Sequence, residues 1–129
     1  MARIERFEDI EAWQSARELT RMVYEASRLE QFAKDHRFCS QIQAAAVSVM
    51  SNIAEGFESQ SNKMFITCLY RAKASAGEVR SQLYVALDQE YIIPPEFETL
   101  YAQATKTSKQ IAGFIRYLQR ATRQGFAEE

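Results

Sequence analysis

Apolar residues recur at intervals of three and four along almost the whole chain, which is the period of an amphipathic helix. Ile10, Trp13, Ala16, Leu19, Val23 and Ala26 form the first such stripe and predict a helix over about 9–28. Phe38, Ile42, Ala45, Val49 and Ile53 form the second, over about 35–56, and Ala44, Val47, Met50 and Ala54 extend it onto another face. A helix apolar on so much of its circumference is expected to be covered on more than one side, by its own bundle and by a neighbouring subunit. Phe65, Leu69, Ala72, Ala76, Val79, Leu83 and Ala86 alternate spacings of four and three, the seam of coiled-coil-like packing, and predict a third helix over about 61–90. Tyr70, Gly77, Tyr84 and Tyr91 follow at intervals of seven, either flanking the core or marking an interface. Phe97, Leu100, Ala104, Thr107, Ile111, Phe114, Leu118 and Ala121 predict a fourth helix over about 94–123. Four helices with short connections give an all-α fold, an antiparallel up-and-down four-helix bundle in a single domain spanning 1–129.

The junctions carry their own chemistry. Asp9 and Asp35 are placed to cap the first two helices, Ser61 the third, and Pro94-Pro95 opens the fourth, where no backbone donor is needed. Leu29 to Lys34 reads as a loop. Gly56 reads as the left-handed residue that ends the second helix. Glu55 is then out of place, because a carboxylate in a last turn faces the negative end of the helix dipole.

Four Gly and two Pro, the prolines adjacent, leave long helices uninterrupted. Apolar residues make up 47% and charged residues 26%, as in a folded soluble protein. No apolar run approaches the ~20 residues of a membrane span, and no apolar leader is present, so a cytoplasmic protein is expected. Cys39 and Cys68 fall on different helices, as two free thiols or, alternatively, a disulfide. The net charge of −1 gives the molecule no general attraction for nucleic acid, but its distribution is uneven. Between Glu98 and Glu128 there is no acidic residue, while Lys106, Lys109, Arg116, Arg120 and Arg123 fall along one helical face. Such a face either binds phosphates or is a solvated surface balanced by Glu11, Glu18 and Glu25 of the first helix.

No catalytic, metal or cofactor signature is found. His36 is the only histidine, and a di-iron bundle needs two Glu-x-x-His pairs. Neither cysteine has a second ligand at metal or catalytic spacing, and no glycine-rich phosphate loop occurs. Asn52, Glu55, Arg71, Ser75 and Glu78 form the other notable set. They read as a hydrogen-bonded network tying the helix hairpin together or as a paired-carboxylate site.

The run Gln41-Ile42-Gln43-Ala44-Ala45-Ala46-Val47-Ser48-Val49, then Ser51-Asn52-Ile53-Ala54-Glu55-Gly56, then Ser75-Ala76-Gly77-Glu78, resembles one bacterial family in order and spacing. That family is the four-helix-bundle proteins of 23S ribosomal RNA intervening sequences, and the likeness runs from Phe7 to about Leu118. On this resemblance Asn52, Glu55, Gly56, Ser75 and Glu78 belong to a structural motif. The resemblance implies a ring-like homo-oligomer, a pentamer around a central channel. It also implies kinship with the accessory protein of diversity-generating retroelements, which binds a reverse transcriptase and nucleic acid through a basic surface. The chain departs from the family where a basic pair is usual (here Gln43-Ala44), where Pro is usual (Met50) and where Arg is usual (Glu58-Ser59-Gln60). Two readings follow: a non-enzymatic oligomeric adaptor binding RNA or DNA and a partner protein, or a structural, protein-binding oligomer without nucleic-acid affinity.

Overall fold

The structure is a computed structural model and describes residues 4–123. After a 3-10 turn at Phe7–Asp9 come α1 (Glu11–Ala26), α2 (Glu30–Lys34), α3 (His36–Glu58), α4 (Asn62–Asp88) and α5 (Pro94–Arg123). Among the described residues there is no strand. The four long helices form a bundle in which α3 packs on α4, α4 on α5, and α1 closes the square against α3 and α5. No helix among the described residues is long and apolar enough to cross a membrane.

Small residues, Ala16, Ala45, Ala46, Ala72, Ala76 and Ala104, are buried between the helices midway along the bundle. There Thr20 Oγ1 donates to Ala46 O at 3.1 Å, and Gln103 Nε2 donates to Ser15 O at 2.9 Å. Large side chains fill either end. Leu19, Val23, Phe32, Phe38, Leu83 and Phe97 pack at the α4–α5 turn, and Trp13, Ile53, Phe65, Leu69, Ile111 and Ile115 at the other. Trp13 meets the edge of Phe7 with ring centroids 5.2 Å apart and carries the Arg17 guanidinium over its ring, so it anchors the core.

The junctions differ from the sequence expectation in three places. Ile10, not Asp9, occupies the N-cap of α1, in extended conformation and without a side-chain cap. Asp9 lies in the preceding 3-10 turn, where its carboxylate accepts the Glu5 amide at 3.2 Å. The expected loop at 29–34 contains α2, held because Phe32 buries its ring against Phe38 and Tyr91. Gly56 does not end a helix, since α3 continues to Glu58 and the left-handed residue is Gln60, at φ 58°. Gly56 is buried against α4, and a Cβ there would stand 2.8 Å from both Cys68 Cβ and Phe65 Cδ1. Its requirement is close helix approach. Glu55 is thus an exposed residue one turn inside α3.

The other caps lie where their residue types favour them. Asp35 Oδ1 accepts Phe38 N at 3.2 Å and Ser61 Oγ accepts Met64 N at 3.2 Å. At α5, Glu96 Oε1 reaches back to the Ile93 amide at 2.9 Å, half of a capping box, with Pro94 and Pro95 between them.

Candidate nucleic-acid interface

The α5 stripe is built by spacing alone. The inward face of the helix, from Phe97 through Ala104 and Ile111 to Leu118, is buried in the core. Lys106, Lys109, Arg116, Arg120 and Arg123 therefore emerge on the outside, and all five are exposed. At a rise of ~1.5 Å per residue they run over about 26 Å. Of the three α1 acids set against them, Glu11 lines a cleft beside Gln110, Gly113 and Tyr117 of α5, and the other two are engaged within α1. Glu18 and Glu25 turn to Arg21 of their own helix, at 2.6 and 3.4 Å. The Arg21 guanidinium, as hydrogen-bond donor and as charge, holds the Glu18 carboxyl below its ordinary range. Among the described residues no cation of α4 or α5 has a carboxylate within ion-pair distance.

α4 adds residues that the charge pattern of α5 did not reveal. Tyr70, Lys73, Gly77, Arg80 and Tyr84 follow at spacings of three, four, three and four, one row on the helix. Both ends of the row touch α5. The Tyr70 hydroxyl accepts Gln119 Nε2 at 3.3 Å, and the Tyr84 ring lies 5.0 Å from Phe97 and 5.7 Å from Tyr101. Lys73 and Arg80 thus stand on the flank that faces the basic helix. The available signal was the heptad of Tyr70, Gly77, Tyr84 and Tyr91, but Tyr91 serves otherwise. It stacks on Phe32, 5.4 Å between centroids, and donates to Asp35 Oδ2 at 2.6 Å. Glu98, Tyr101, Thr105, Lys106, Lys109 and Gln110 line a shallow cleft of about 590 Å³ on the same helix, so one carboxylate stands at the end of the cation row nearest Tyr84.

The set at the α3–α4 hairpin separates into two parts. Ser48 and Ser75 share a hydrogen bond of 2.9 Å across the helix pair. Asn52 Nδ2 donates to Ser48 O at 2.9 Å and Ser48 Oγ at 3.0 Å. Ser48 is the centre that sequence reasoning missed. Glu55, Arg71 and Glu78 are exposed and stand outside this network, Glu78 accepting instead from Gln82 at 3.4 Å. A catalytic carboxylate pair would have to share a pocket, and no such arrangement forms here. Cys68 is buried and its thiol pushed up, chiefly by burial, with Glu55 adding and Arg71 opposing. Cys39 donates to Phe32 O at 3.2 Å, and both thiols are free. His36 is exposed at the start of α3, and among the described residues no three His, Cys, Asp or Glu side chains are grouped to hold a metal.

Comparison with known proteins agrees with this architecture. No curated protein matches the sequence. A protein of unknown function from the S23 ribosomal protein family of Bacteroides thetaiotaomicron VPI-5482 matches in structure with a TM-score of 0.75 and 25% identity. The match covers 81% of this chain and 95% of that one. The family model described as 23S rRNA-intervening sequence protein matches residues 8–113, and with the bundle and its Ser-Asn-Ile-Ala-Glu-Gly run the chain belongs to that family.

Proposed function

We propose that the protein is a non-enzymatic, homo-oligomeric adaptor that binds nucleic acid through the phosphate backbone along α5. The observation that supports this most directly is the row of five exposed cations on a helix without an acidic residue from Thr99 to Arg123 and without ion-pair partners among the described residues. Unpaired lysine and arginine at that density attract a polyanion and release its counterions on contact. The kinship that the family resemblance implies with the retroelement accessory protein extends the reading to a polymerase-type partner, in the cytoplasm.

A second observation supports oligomerisation. Ala44 and Val47 of α3 are exposed while Met50 and Ala54 are only half covered, so one side of that helix lacks a neighbour within the chain. The family resemblance makes the assembly a ring of five. If α5 itself lies at a subunit contact, the protein is a structural or protein-binding oligomer instead.

The test is a titration of the purified protein with labelled structured RNA and single-stranded DNA at two salt concentrations, with the mass of the assembly recorded on the same sample. The expected result is binding that weakens steeply with salt and disappears with Arg116→Glu and Arg120→Glu at unchanged mass. Absence of binding even at low salt would remove the nucleic-acid reading and leave the protein-binding oligomer.

A further inference from the structure

We propose that the ligand of this face is an unpaired polynucleotide strand, its bases stacking on Tyr70 and Tyr84 and its phosphates lying between the α5 cations and Lys73 and Arg80 of α4. The proposal rests on the nucleic-acid reading above and names the form of nucleic acid that the face accepts.

Phosphate contacts alone do not distinguish a strand from a duplex; aromatic rings do. In a duplex the bases are paired and stacked on one another, and a side chain on a convex helical surface meets only backbone. A single strand presents free base faces, and stacking on aromatic side chains is the recurrent way of holding it. Tyr70 and Tyr84 are 51% and 50% exposed, whereas Tyr91, the next residue of the heptad and beyond the end of α4, is packed against Phe32. Neither is loose. Tyr70 is tied through its hydroxyl to Gln119, and Tyr84 rests one side against Phe97 and Tyr101, which leaves the remainder of each ring to solvent. A ring held in advance loses little freedom when a base settles on it.

The ground between the tyrosines suits a backbone. Fourteen residues separate them, about 21 Å along the helix, or roughly six nucleotides of a stacked strand at ~3.4 Å each. Gly77 stands midway, and a Cβ added there would meet only the Arg80 guanidinium, at 3.6 Å, so the surface is low and open. Lys73 and Arg80 flank it, one turn to either side. Arg80 is half-buried and its Nε has no hydrogen-bond partner, so the guanidinium is not committed to another group. Glu78, the acid at this level of α4, is on the flank toward α3 and accepts from Gln82, and Glu98 of α5 stands near Tyr84 at the far end of the row, beyond the last α5 cation. The row therefore alternates ring, cation, gap, cation, ring, beside a second row of cations on α5.

The experiment measures anisotropy of three labelled probes with the full chain at low and moderate salt: an unstructured 12-mer RNA of adenine and cytosine, the DNA of the same sequence, and a blunt 12-base-pair RNA duplex. Either single strand is expected to bind more tightly than the duplex, and the tighter of the two arms identifies ribose or deoxyribose as the natural sugar. Tyr70→Ala with Tyr84→Ala should weaken strand binding at least about 25-fold, at about five- to 150-fold per stacked base, and leave duplex affinity unchanged. Tyr70→Phe with Tyr84→Phe keeps the rings and should restore binding, which separates stacking from a folding defect. Lys73→Ala with Arg80→Ala should lower the slope of log affinity against log salt by about 1.4, at ~0.7 per phosphate contact on a single strand. Equal binding of strand and duplex, unmoved by the double alanine variant, would overturn the proposal while leaving phosphate binding by α5 in place. No binding of any probe would remove both.

Discussion

Gly56 offers the sharpest test of how the bundle is held together, because two accounts of it predict different outcomes. As a left-handed helix terminator it would tolerate asparagine, the next-best residue in that conformation, better than alanine. As a packed helical residue it tolerates neither, and asparagine is the worse. The structure favours packing: an added Cβ stands 2.8 Å from Cys68 Cβ, 2.8 Å from Phe65 Cδ1 and 3.3 Å from Phe65 Cα. Cys68 Cβ and Phe65 Cα belong to the rigid part of α4, so relief requires the helix itself to move. Overpacking of this kind costs about 1–3 kcal/mol, against a gain of about 1 kcal/mol from replacing glycine inside a helix. With backbone rather than a flexible tip in the way, the net loss for Gly56→Ala should be about 1–2 kcal/mol. For a chain of this size that lowers the thermal midpoint by about 3–8 °C. Gly56→Asn adds the burial of an amide without partners and should cost at least about 1 kcal/mol more. Gly77→Ala supplies the internal control, because its Cβ meets nothing closer than 3.6 Å. There the helix propensity acts alone and the variant should gain about 0.5–1 kcal/mol. Thermal unfolding followed by circular dichroism reads all three. A Gly56→Ala protein as stable as the parent, or a Gly56→Asn protein more stable than Gly56→Ala, would refute the packing argument.

Phe32 is the whole reason for α2, and Phe32→Ala should destabilise by about 3–5 kcal/mol, read from the midpoint of urea unfolding; a loss under ~1 kcal/mol would mean that α2 merely decorates the bundle. The Asp35–Tyr91 hydrogen bond makes stability depend on pH at both extremes. The Tyr91 hydroxyl, and then the Phe38 amide, hold the Asp35 carboxyl below its usual range. Its contribution is therefore complete above the unfolded value of about 3.9 and is lost as pH falls through the lower folded value. The Asp35 carboxylate raises Tyr91 in turn, so that contribution is complete below about 10 and is lost as pH rises through the higher folded value. Thermal midpoints measured from acid to alkaline pH should show both declines, and Tyr91→Phe should reduce each, leaving on the alkaline side the share of Cys39, Cys68 and Tyr84, whose folded values are also raised. An unchanged profile in Tyr91→Phe would show that the bond does not persist in solution.

Much of the architecture was legible because it follows from periodicity. The stripes from Phe65 to Ala86 and from Ile10 to Val23 are buried as their spacing requires, and the caps at Asp35 and Ser61 follow from local residue chemistry. What was not legible depends on partners far along the chain. Gly56 has the same sequence signature whether it ends a helix or admits another helix, and only the position of Cys68 and Phe65 decides between them. Phe32 lies on a segment too short to show a period, and its helix forms because Phe38 and Tyr91 wait for it. Whether Glu55, near the joint, meets Glu78, further along the partner helix, depended on geometry that spacing does not fix; both are exposed, and the serines between the helices make the connection.

The same reasoning explains why a chain with a net charge of −1 can still carry a cationic surface. Along α5 the charges are separated by position, with Glu96 and Glu98 in the first turns and only cations from Lys106 onward. α1 pairs Glu18 and Glu25 with its own Arg21, which leaves Glu11 as its one acid beside α5. α4 sends Glu78 to one flank and Lys73 and Arg80 to the other, because residues three and seven apart share a side and those two apart do not. A phosphate approaching the α4–α5 face meets cations from both helices, with Glu98 as the acid at the Tyr84 end. Total charge therefore misjudges this molecule. What a ligand senses is the local field, and that field is set by which helix flanks the fold brings together.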